Sequence, residues 1–147
     1  MVLAAGDKIH YRENRFDILS PNKDFLNGRD TNDSGLVMKL SAADSQSLFT
    51  GDIGEKVEDF LIKNYDLKID ILKVGHHGSK FSTSQKFLAA AQPKLAFIGV
   101  GKNSYGHPTK EVLNRLASVG AAIYRTDTSG TIKLVINKGR IFISKGK

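Results

Sequence analysis

The amino-acid sequence predicts an α/β domain whose sheet contains several parallel strands. Short apolar runs such as 69–74 and 95–100 stop abruptly at polar loops that contain glycine, which is typical of strands buried on both faces of a sheet. Between such runs lie amphipathic segments, one of which places Val57, Phe60 and Leu61 at helical spacing. Because strand–helix–strand units make parallel crossovers, the carboxyl ends of these strands should meet at one edge of the sheet.

Length and composition fit this fold class. The 147 residues are enough for one domain over residues 1–147 with a buried core. Cysteine is absent, which excludes disulfides and thiolate metal sites. The net charge of +7 favours phosphate-bearing partners, although a solvated basic surface gives the same composition. No apolar run approaches the roughly 20 residues of a membrane span, so no transmembrane segment or signal segment is expected.

Residues 1–21 are predicted to form a β-hairpin. Apolar and polar residues alternate around Ile9 and Tyr11, and a second apolar run follows at 16–19 before a proline that cannot serve a central strand. His10 lies within the first strand. Its neighbours fit a strand with one polar face, so we do not expect it in a functional site.

The central part of the chain is predicted to contain two strands and a helix. Residues 22–34 are polar and are predicted to form a long loop, which is often functional. Strands are expected at 36–40 and 47–50, and the second of them ends at a Gly-Asp pair. A helix over 55–64 then leads to the strand at 69–74, which completes a parallel crossover.

The remaining sequence repeats the alternation of strand and helix. Ser82 or Ser84 can cap a helix that runs to residue 91, and Thr109 can cap another. Further strands are predicted at 95–100, 122–125, 132–136 and 141–143, and residues 145–147 are predicted to be a frayed tail.

Polar side chains follow four predicted strands at the point where each strand ends. They are Asp52, His76 with His77, His107 and Asp127. In open α/β sheets, ligands bind in the crevice beyond the carboxyl ends of the strands. Imidazole and carboxylate groups suit zinc, manganese or iron. The sequence therefore predicts a hydrolytic metal site, with zinc or manganese as the expected cofactor, in which the ion would activate water.

Individual roles are predicted for the residues of this edge. Asp52 is the carboxylate placed to bridge two ions. Side chains of successive residues in an extended segment point to opposite faces, so His76 and His77 cannot both face one ion. His76, directly at the strand end, is the predicted metal ligand, and His77 is predicted to orient a neighbour or transfer a proton as a catalytic group. Residues of the same loops are expected to bind substrate, namely Ser79, Lys73, Lys102, Asn103, Tyr105 and Asp127.

Several blocks of the sequence resemble consecutive motifs of the metallo-β-lactamase fold. They are most similar to the version at the carboxyl end of ComEC-type DNA-uptake channel proteins, and the resemblance covers roughly residues 3 to 136. The blocks are Leu-Phe-Thr-Gly-Asp at 48–52, Leu-Lys-Val-Gly-His-His-Gly-Ser at 72–79, Asn-Ser-Tyr-Gly-His-Pro at 103–108 and Tyr-Arg-Thr-Asp at 124–127, with further matches at 5–7 and 32–37.

The resemblance implies an αββα sandwich and a metal-dependent hydrolase. Asp52 would be the metal-bridging aspartate, and His76 or His77 would be the late metal-ligand histidine. His107 would lie beside the site as a catalytic group that binds substrate or transfers a proton.

The main metal-binding motif of that superfamily is missing from this sequence. Neither His-x-His-x-Asp-His nor His-x-Asp-x-Asp-His occurs, and His10 is the one histidine before Asp52. The chain therefore resembles the carboxyl-terminal half to two-thirds of such a domain, either as a truncated product or as one that has lost its first strands. Because a catalytic zinc site needs at least three protein ligands, this chain alone is not expected to be an active enzyme.

Three functions follow from these observations. The first is part of a metal-dependent phosphodiesterase or nuclease that acts on DNA during competence-type DNA uptake. The second is another hydrolase of the superfamily, such as a phosphorylcholine esterase or a small-ester hydrolase. The third is a non-catalytic DNA-binding remnant. We expect a soluble bacterial domain, extracytoplasmic and attached to a membrane channel in a full-length protein, or cytoplasmic if the chain stands alone.

Overall fold

Seven strands form one mixed sheet in the computed structural model, which describes residues 3–26, 30–137 and 139–146. Their order across the sheet follows their order along the chain. The strands are β1 (Lys8–Tyr11), β2 (Asn14–Ser20), β3 (Val37–Ala42), β4 (Ser45–Phe49), β5 (Ile71–Lys73), β6 (Leu95–Ile98) and β7 (Ala122–Arg125), and a separate pair consists of β8 (Thr131–Asn137) and β9 (Arg140–Gly146).

The two halves of the sheet differ in strand direction. Strands β1 to β4 are antiparallel, with β1 and β2 forming the predicted hairpin. Strands β4 to β7 are parallel, and Leu48, Leu72 and Ala96 stand level with one another on β4, β5 and β6. The parallel sheet predicted from the strand–helix–strand pattern is confirmed, and four carboxyl ends lie at one edge.

Helices make the crossovers between the parallel strands. Hydroxyl groups cap two of them, because Ser84 Oγ accepts a hydrogen bond from the Phe87 amide at 3.3 Å and Thr109 Oγ1 accepts one from the Val112 amide at 3.5 Å. The crossover helices are α2 (Glu55–Asn64), α3 (Gln85–Ala91) and α4 (Lys110–Ser118), and two single turns are α1 (Lys23–Leu26) and α5 (Thr126–Ser129).

The main core lies between these helices and one face of the sheet. Burying a leucine, valine or phenylalanine side chain stabilises the fold by roughly 1.5–3 kcal/mol, so this layer supplies most of the favourable free energy. Its central members are Val57, Leu61, Phe87, Leu88, Val112 and Leu116 on the helices and Leu48, Leu72, Ala96 and Ile98 on the strands.

The other face of the sheet is partly covered by β8 and β9. A cavity of about 480 Å³ lies between the two, lined by Leu40 and Phe97 from the sheet and by Ile132 and Leu134 from β8. In the part of the chain that the structure describes, the layers are therefore helix, sheet and a two-stranded sheet. The α/β class is confirmed, but a second helical layer of an αββα sandwich is not among these residues.

Several predicted elements differ from the structure, among them the strand predicted at 95–100, which ends at Ile98. The loop predicted at 22–34 contains α1 and a 3₁₀ turn at Thr31–Ser34, because Phe25 is buried edge-on against Phe60; residues 27–29 lie outside the described ranges. The strand predicted at 69–74 is shorter. Lys145 and Gly146, expected in a frayed tail, end β9, and Lys147 is not described. No helix in the described ranges is long and apolar enough to cross a membrane.

Candidate functional site

A tight 3₁₀ turn at Gly75–Gly78 follows β5 at the carboxyl edge of the sheet. His76 and His77 both have left-handed backbone conformations, with φ of 46° and 54°, which are uncommon for residues other than glycine. The prediction that these histidines lie in an extended segment is wrong, because the chain turns here. Alternation of side chains therefore does not decide which imidazole faces Asp52.

The turn is held against the loop that follows β4. The amide of His76 donates a hydrogen bond to the Gly51 carbonyl at 3.0 Å, and Thr50 Oγ1 donates one to the Lys73 carbonyl at 3.0 Å. A side chain at Gly75 would place its Cβ 3.0 Å from Thr50 Oγ1, so glycine permits this close approach. The contact brings the Asp52 loop beside the two histidines.

The same turn also holds the loop that follows β6. Gly78 has a φ of +85°, and a Cβ there would lie 2.5 Å from Pro108 Cβ. Its carbonyl accepts a hydrogen bond from the Thr109 amide at 3.0 Å. Three loops from three parallel strands are thus packed into one rigid edge.

His77 is the histidine that approaches Asp52. Its Nδ1 lies 2.6 Å from the Gly99 carbonyl oxygen, so Nδ1 carries the proton and donates. The other ring nitrogen, Nε2, lies 3.9 Å from Asp52 Oδ1. A metal-ligating histidine usually donates its other ring N–H to a carboxylate, a backbone carbonyl or water, and the Gly99 carbonyl supplies such an acceptor for His77.

The donor set fits part of a metal site. Both side chains are about half exposed, at 55% for His77 and 52% for Asp52, so an ion would have access. Within the described ranges, however, no group of three or more histidine or carboxylate side chains is placed to hold a metal. A catalytic zinc needs at least three protein ligands, so these residues supply an incomplete set.

His76 faces His107 instead of Asp52. The two rings meet edge-to-face with centroids 5.9 Å apart, and Tyr105 stacks on His107 at the same distance. Burial lowers the pKa of His107, and the nearby His76 and His77 lower it further. Its Nδ1 is buried without a hydrogen-bond partner among the described residues. Both effects favour the neutral imidazole of His107 over its protonated form.

Two of the predicted substrate-binding residues, Lys73 and Asp127, already make hydrogen bonds within the protein. Lys73 is half-buried, and its Nζ donates to the Val74 carbonyl at 3.2 Å. Burial lowers the pKa of Lys73, whereas the charge of Asp52 raises it, so the ammonium group lies within electrostatic reach of that carboxylate. Asp127 accepts two hydrogen bonds from Arg125 at 3.0 and 2.6 Å, and these hold the pKa of Asp127 below its ordinary value.

The other predicted substrate-binding residues have different surroundings. Ser79 is 2% exposed, and its hydroxyl accepts a weak hydrogen bond from the Phe81 amide. The Asn103 side chain accepts from the amides of Tyr105 and His107 and donates to the carbonyls of Gly101 and His107, so it organises its own loop. Lys102 and Tyr105 are exposed.

Sequence analysis missed three residues that position this edge. The Gly99 carbonyl orients His77, and Thr126 Oγ1 accepts from the Val100 amide at 2.8 Å to hold the strand end in place. Glu58, on α2, is 2% exposed and accepts hydrogen bonds from the amides of Thr83 and Ser84. A backbone carbonyl has no sequence signal, and Glu58 looks like any helical glutamate in the sequence.

The fold of this chain is shared with a solved structure. A crystal structure of a protein assigned as a metal-dependent hydrolase, from Parabacteroides distasonis, superposes with a TM-score of 0.55 at 16% identity over 84% of this chain and 56% of that one. At this level of identity the similarity concerns the fold alone. No protein-family model matches the chain.

Sequence relatives identify the kind of protein more closely. The chain is 37% identical to ComE operon protein 3 of Bacillus subtilis over 87% of its length, 35% identical to competence protein ComA of Neisseria gonorrhoeae over 86%, and 33% identical to recombination protein 2 of Haemophilus influenzae over 97%. It spans 16%, 18% and 18% of these relatives. The resemblance is confirmed: the chain is homologous to one segment of ComEC-type competence proteins.

Proposed function

We propose that this chain forms the carboxyl-terminal part of a metal-dependent phosphodiesterase that acts on DNA in competence-type DNA uptake. The observation that carries the proposal is the pairing of Asp52 with His77, whose ring is fixed by the Gly99 carbonyl. Homology to competence proteins supports DNA as the substrate, and the fold shared with an assigned metal-dependent hydrolase supports hydrolysis.

Asp52 and His77 would hold a divalent ion, zinc or manganese, together with donors from outside these 147 residues. When bound, such an ion makes water a stronger nucleophile and neutralises charge on a phosphoryl oxygen. This assignment replaces His76 by His77 as the proposed metal ligand. The reason is geometric, since the free nitrogen of His77 faces Asp52 whereas the ring of His76 meets His107.

His76 and His107 would then lie where the substrate binds, and His107 would transfer a proton. Burial and the neighbouring His76 and His77 lower the pKa of His107 and so favour its neutral imidazole, which is the form that can accept a proton. Its position on the rigid loop of Asn103 fixes the ring beside His76. In a full-length bacterial protein, we propose that this domain is attached to a membrane channel through which DNA passes.

Hydrolysis tests the proposal directly. We expect the 147-residue chain with Mn²⁺ or Zn²⁺ to be inactive, and the chain extended by an amino-terminal segment with a His-x-Asp-x-Asp-His motif to hydrolyse bis(p-nitrophenyl) phosphate and DNA. The reason is that the added donors complete the ligand set. The two samples are compared by release of p-nitrophenol at equal metal concentration. Turnover of p-nitrophenyl acetate or of a phosphorylcholine ester, without cleavage of the diester, would contradict the proposal.

A non-catalytic DNA-binding role is the second candidate. It is favoured by the incomplete donor set of the described residues. If the extended chain binds DNA but cleaves neither DNA nor the model diester at any metal concentration, this candidate replaces the first.

DNA binding should depend strongly on salt. Lys80 and Lys102 are exposed on the loops beside His107, and Lys110 is exposed at the start of α4; each phosphate that they neutralise releases counterions. We expect log K against log salt to have a negative slope, and Lys102→Ala to make it shallower by about 0.7 for a single strand. Fluorescence anisotropy at several salt concentrations measures this slope. Lys63→Ala, on the exposed side of α2, is the control, and a wild-type slope near zero would exclude a phosphate-binding surface.

A further inference from the structure

Two exposed aromatic rings lie in the same groove as the His76–His107 pair. Phe81 is 66% exposed and Tyr105 is 81% exposed, the largest values among the exposed large apolar or aromatic side chains of the described residues. Both rings line one groove of about 590 Å³ that also contains His76 and His107. An exposed ring lacks the large hydrophobic stabilisation that burial would give it. Two such rings in one groove therefore indicate a binding surface.

Both rings are held by anchored loops. Tyr105 stacks on His107 at an interplanar angle of 24°, and its amide donates to Asn103 Oδ1 at 3.1 Å. The segment around Phe81 is held by Arg115, whose guanidinium donates to the Lys80 carbonyl at 2.9 Å and to the Thr83 carbonyl at 3.0 Å. The rings are therefore presented in defined places before any ligand arrives.

The charges around the groove suit a polyanion. Lys80 places its ammonium group 5.1 Å from the centre of the Phe81 ring, and Lys110 and Glu111 lie at the amino end of α4 on the opposite wall. Glu111 is an acidic side chain of this lining: hydrogen bonds from its own backbone and from Thr109 hold the pKa of its carboxyl below its ordinary value, and the positive charges of Lys80 and Arg115 lower that pKa further and offset the negative charge. The combination of flat aromatic faces and lysines is the one by which proteins bind single-stranded nucleic acid.

We propose that Phe81 and Tyr105 stack on unpaired bases of a single DNA strand and so lead its backbone across His76 and His107. This inference rests on the proposed function for the choice of DNA, and it assigns the strand form that the site accepts. Bases in a duplex are stacked on one another and cannot offer their faces to a protein ring. The groove should therefore select single-stranded ends or unpaired segments.

The test compares oligonucleotides that have the same phosphates but different bases. Three fluorescein-labelled oligonucleotides are titrated with the chain in EDTA, and fluorescence anisotropy measures binding. They are dT12, a 12-mer strand with abasic sites at every internal position, and a 12-base-pair duplex. We expect dT12 to bind more tightly than the abasic strand, and Phe81→Ala and Tyr105→Ala each to weaken dT12 binding by roughly 5- to 150-fold, the range of one lost stacking contact. Both variants should leave abasic binding nearly unchanged.

Matched variants separate stacking from other effects. Tyr105→Phe keeps the ring and should bind dT12 like wild type, whereas Phe142→Ala removes a ring that is 54% exposed on β9 and should have no effect. Equal binding of dT12 and the abasic strand, tighter binding of the duplex, or tighter binding of a matched RNA strand would overturn the proposal. Because EDTA removes metal, these results do not depend on hydrolysis, and a failure of the diester assay leaves them interpretable.

Discussion

His77→Ala is expected to abolish binding of Mn²⁺ or Zn²⁺ by this chain, and His76→Ala is expected to preserve it. The wild-type chain should bind such an ion weakly, because its described residues supply an incomplete ligand set. Removal of His77 leaves Asp52 without the nitrogen donor that faces it. The loss should exceed the roughly 10- to 100-fold that removal of an outer-shell partner costs.

Isothermal titration calorimetry with the apo chain measures this difference. Asp52→Ala should behave like His77→Ala, since each removes one of the two paired donors. His10→Ala is the control, because this exposed histidine lies on β1 at the far side of the sheet. Circular dichroism checks that each variant folds. Loss of metal in His76→Ala with retention in His77→Ala would instead restore His76 as the ligand.

Glu58→Ala is expected to lower the free energy of unfolding by about 2–6 kcal/mol, because the amides of Thr83 and Ser84 would be left buried without an acceptor at about 1–3 kcal/mol each. Urea denaturation measures the change. Glu55→Ala, an exposed residue one turn earlier on α2, should change the unfolding free energy by less than about 0.5 kcal/mol. An equal effect of the two substitutions would show that Glu58 does not support the loop.

The same glutamate should give a signature in the pH dependence of stability. Burial raises the pKa of Glu58 above its ordinary value of 4.5, although the hydrogen bonds from Ser84 and Thr83 oppose this. The folded state therefore holds the proton more strongly than the unfolded chain does. The stabilisation linked to this proton is fully present below the ordinary pKa and is lost as pH rises through the folded value. Glu58→Gln should remove this part of the pH profile.

Glu58 also supports the segment that carries Phe81 in the proposed DNA groove. Its two acceptor bonds hold Thr83 and Ser84, the residues that lead from Phe81 into α3. Loosening this segment should move Phe81 as well as destabilise the fold. We therefore expect the Glu58→Ala chain, at temperatures where it remains folded, to bind dT12 more weakly than wild type.

The sequence alone was enough to predict the parallel strands and the crossover helices of this domain. Parallel strands β4 to β7 were predictable because buried strands have near-continuous apolar runs, and the crossover helices because their apolar residues repeat at helical spacing. The convergence of Asp52, His76, His77 and His107 on one edge followed from strand direction alone. These are properties of local pattern and topology, and both can be obtained from residue order.

Tertiary structure decided the roles within that edge. The direction of each imidazole depends on the left-handed turn at His76 and His77 and on the Gly99 carbonyl from a neighbouring strand. Likewise, the buried position of Glu58 depends on the loop that packs over α2. Contacts between segments far apart in sequence set these orientations. Such contacts cannot be predicted from residue type and spacing. That is why the sequence could place these residues at one edge but led to His76 as the predicted metal ligand, whereas the folded chain turns His77 towards Asp52 and makes it the ligand that we propose.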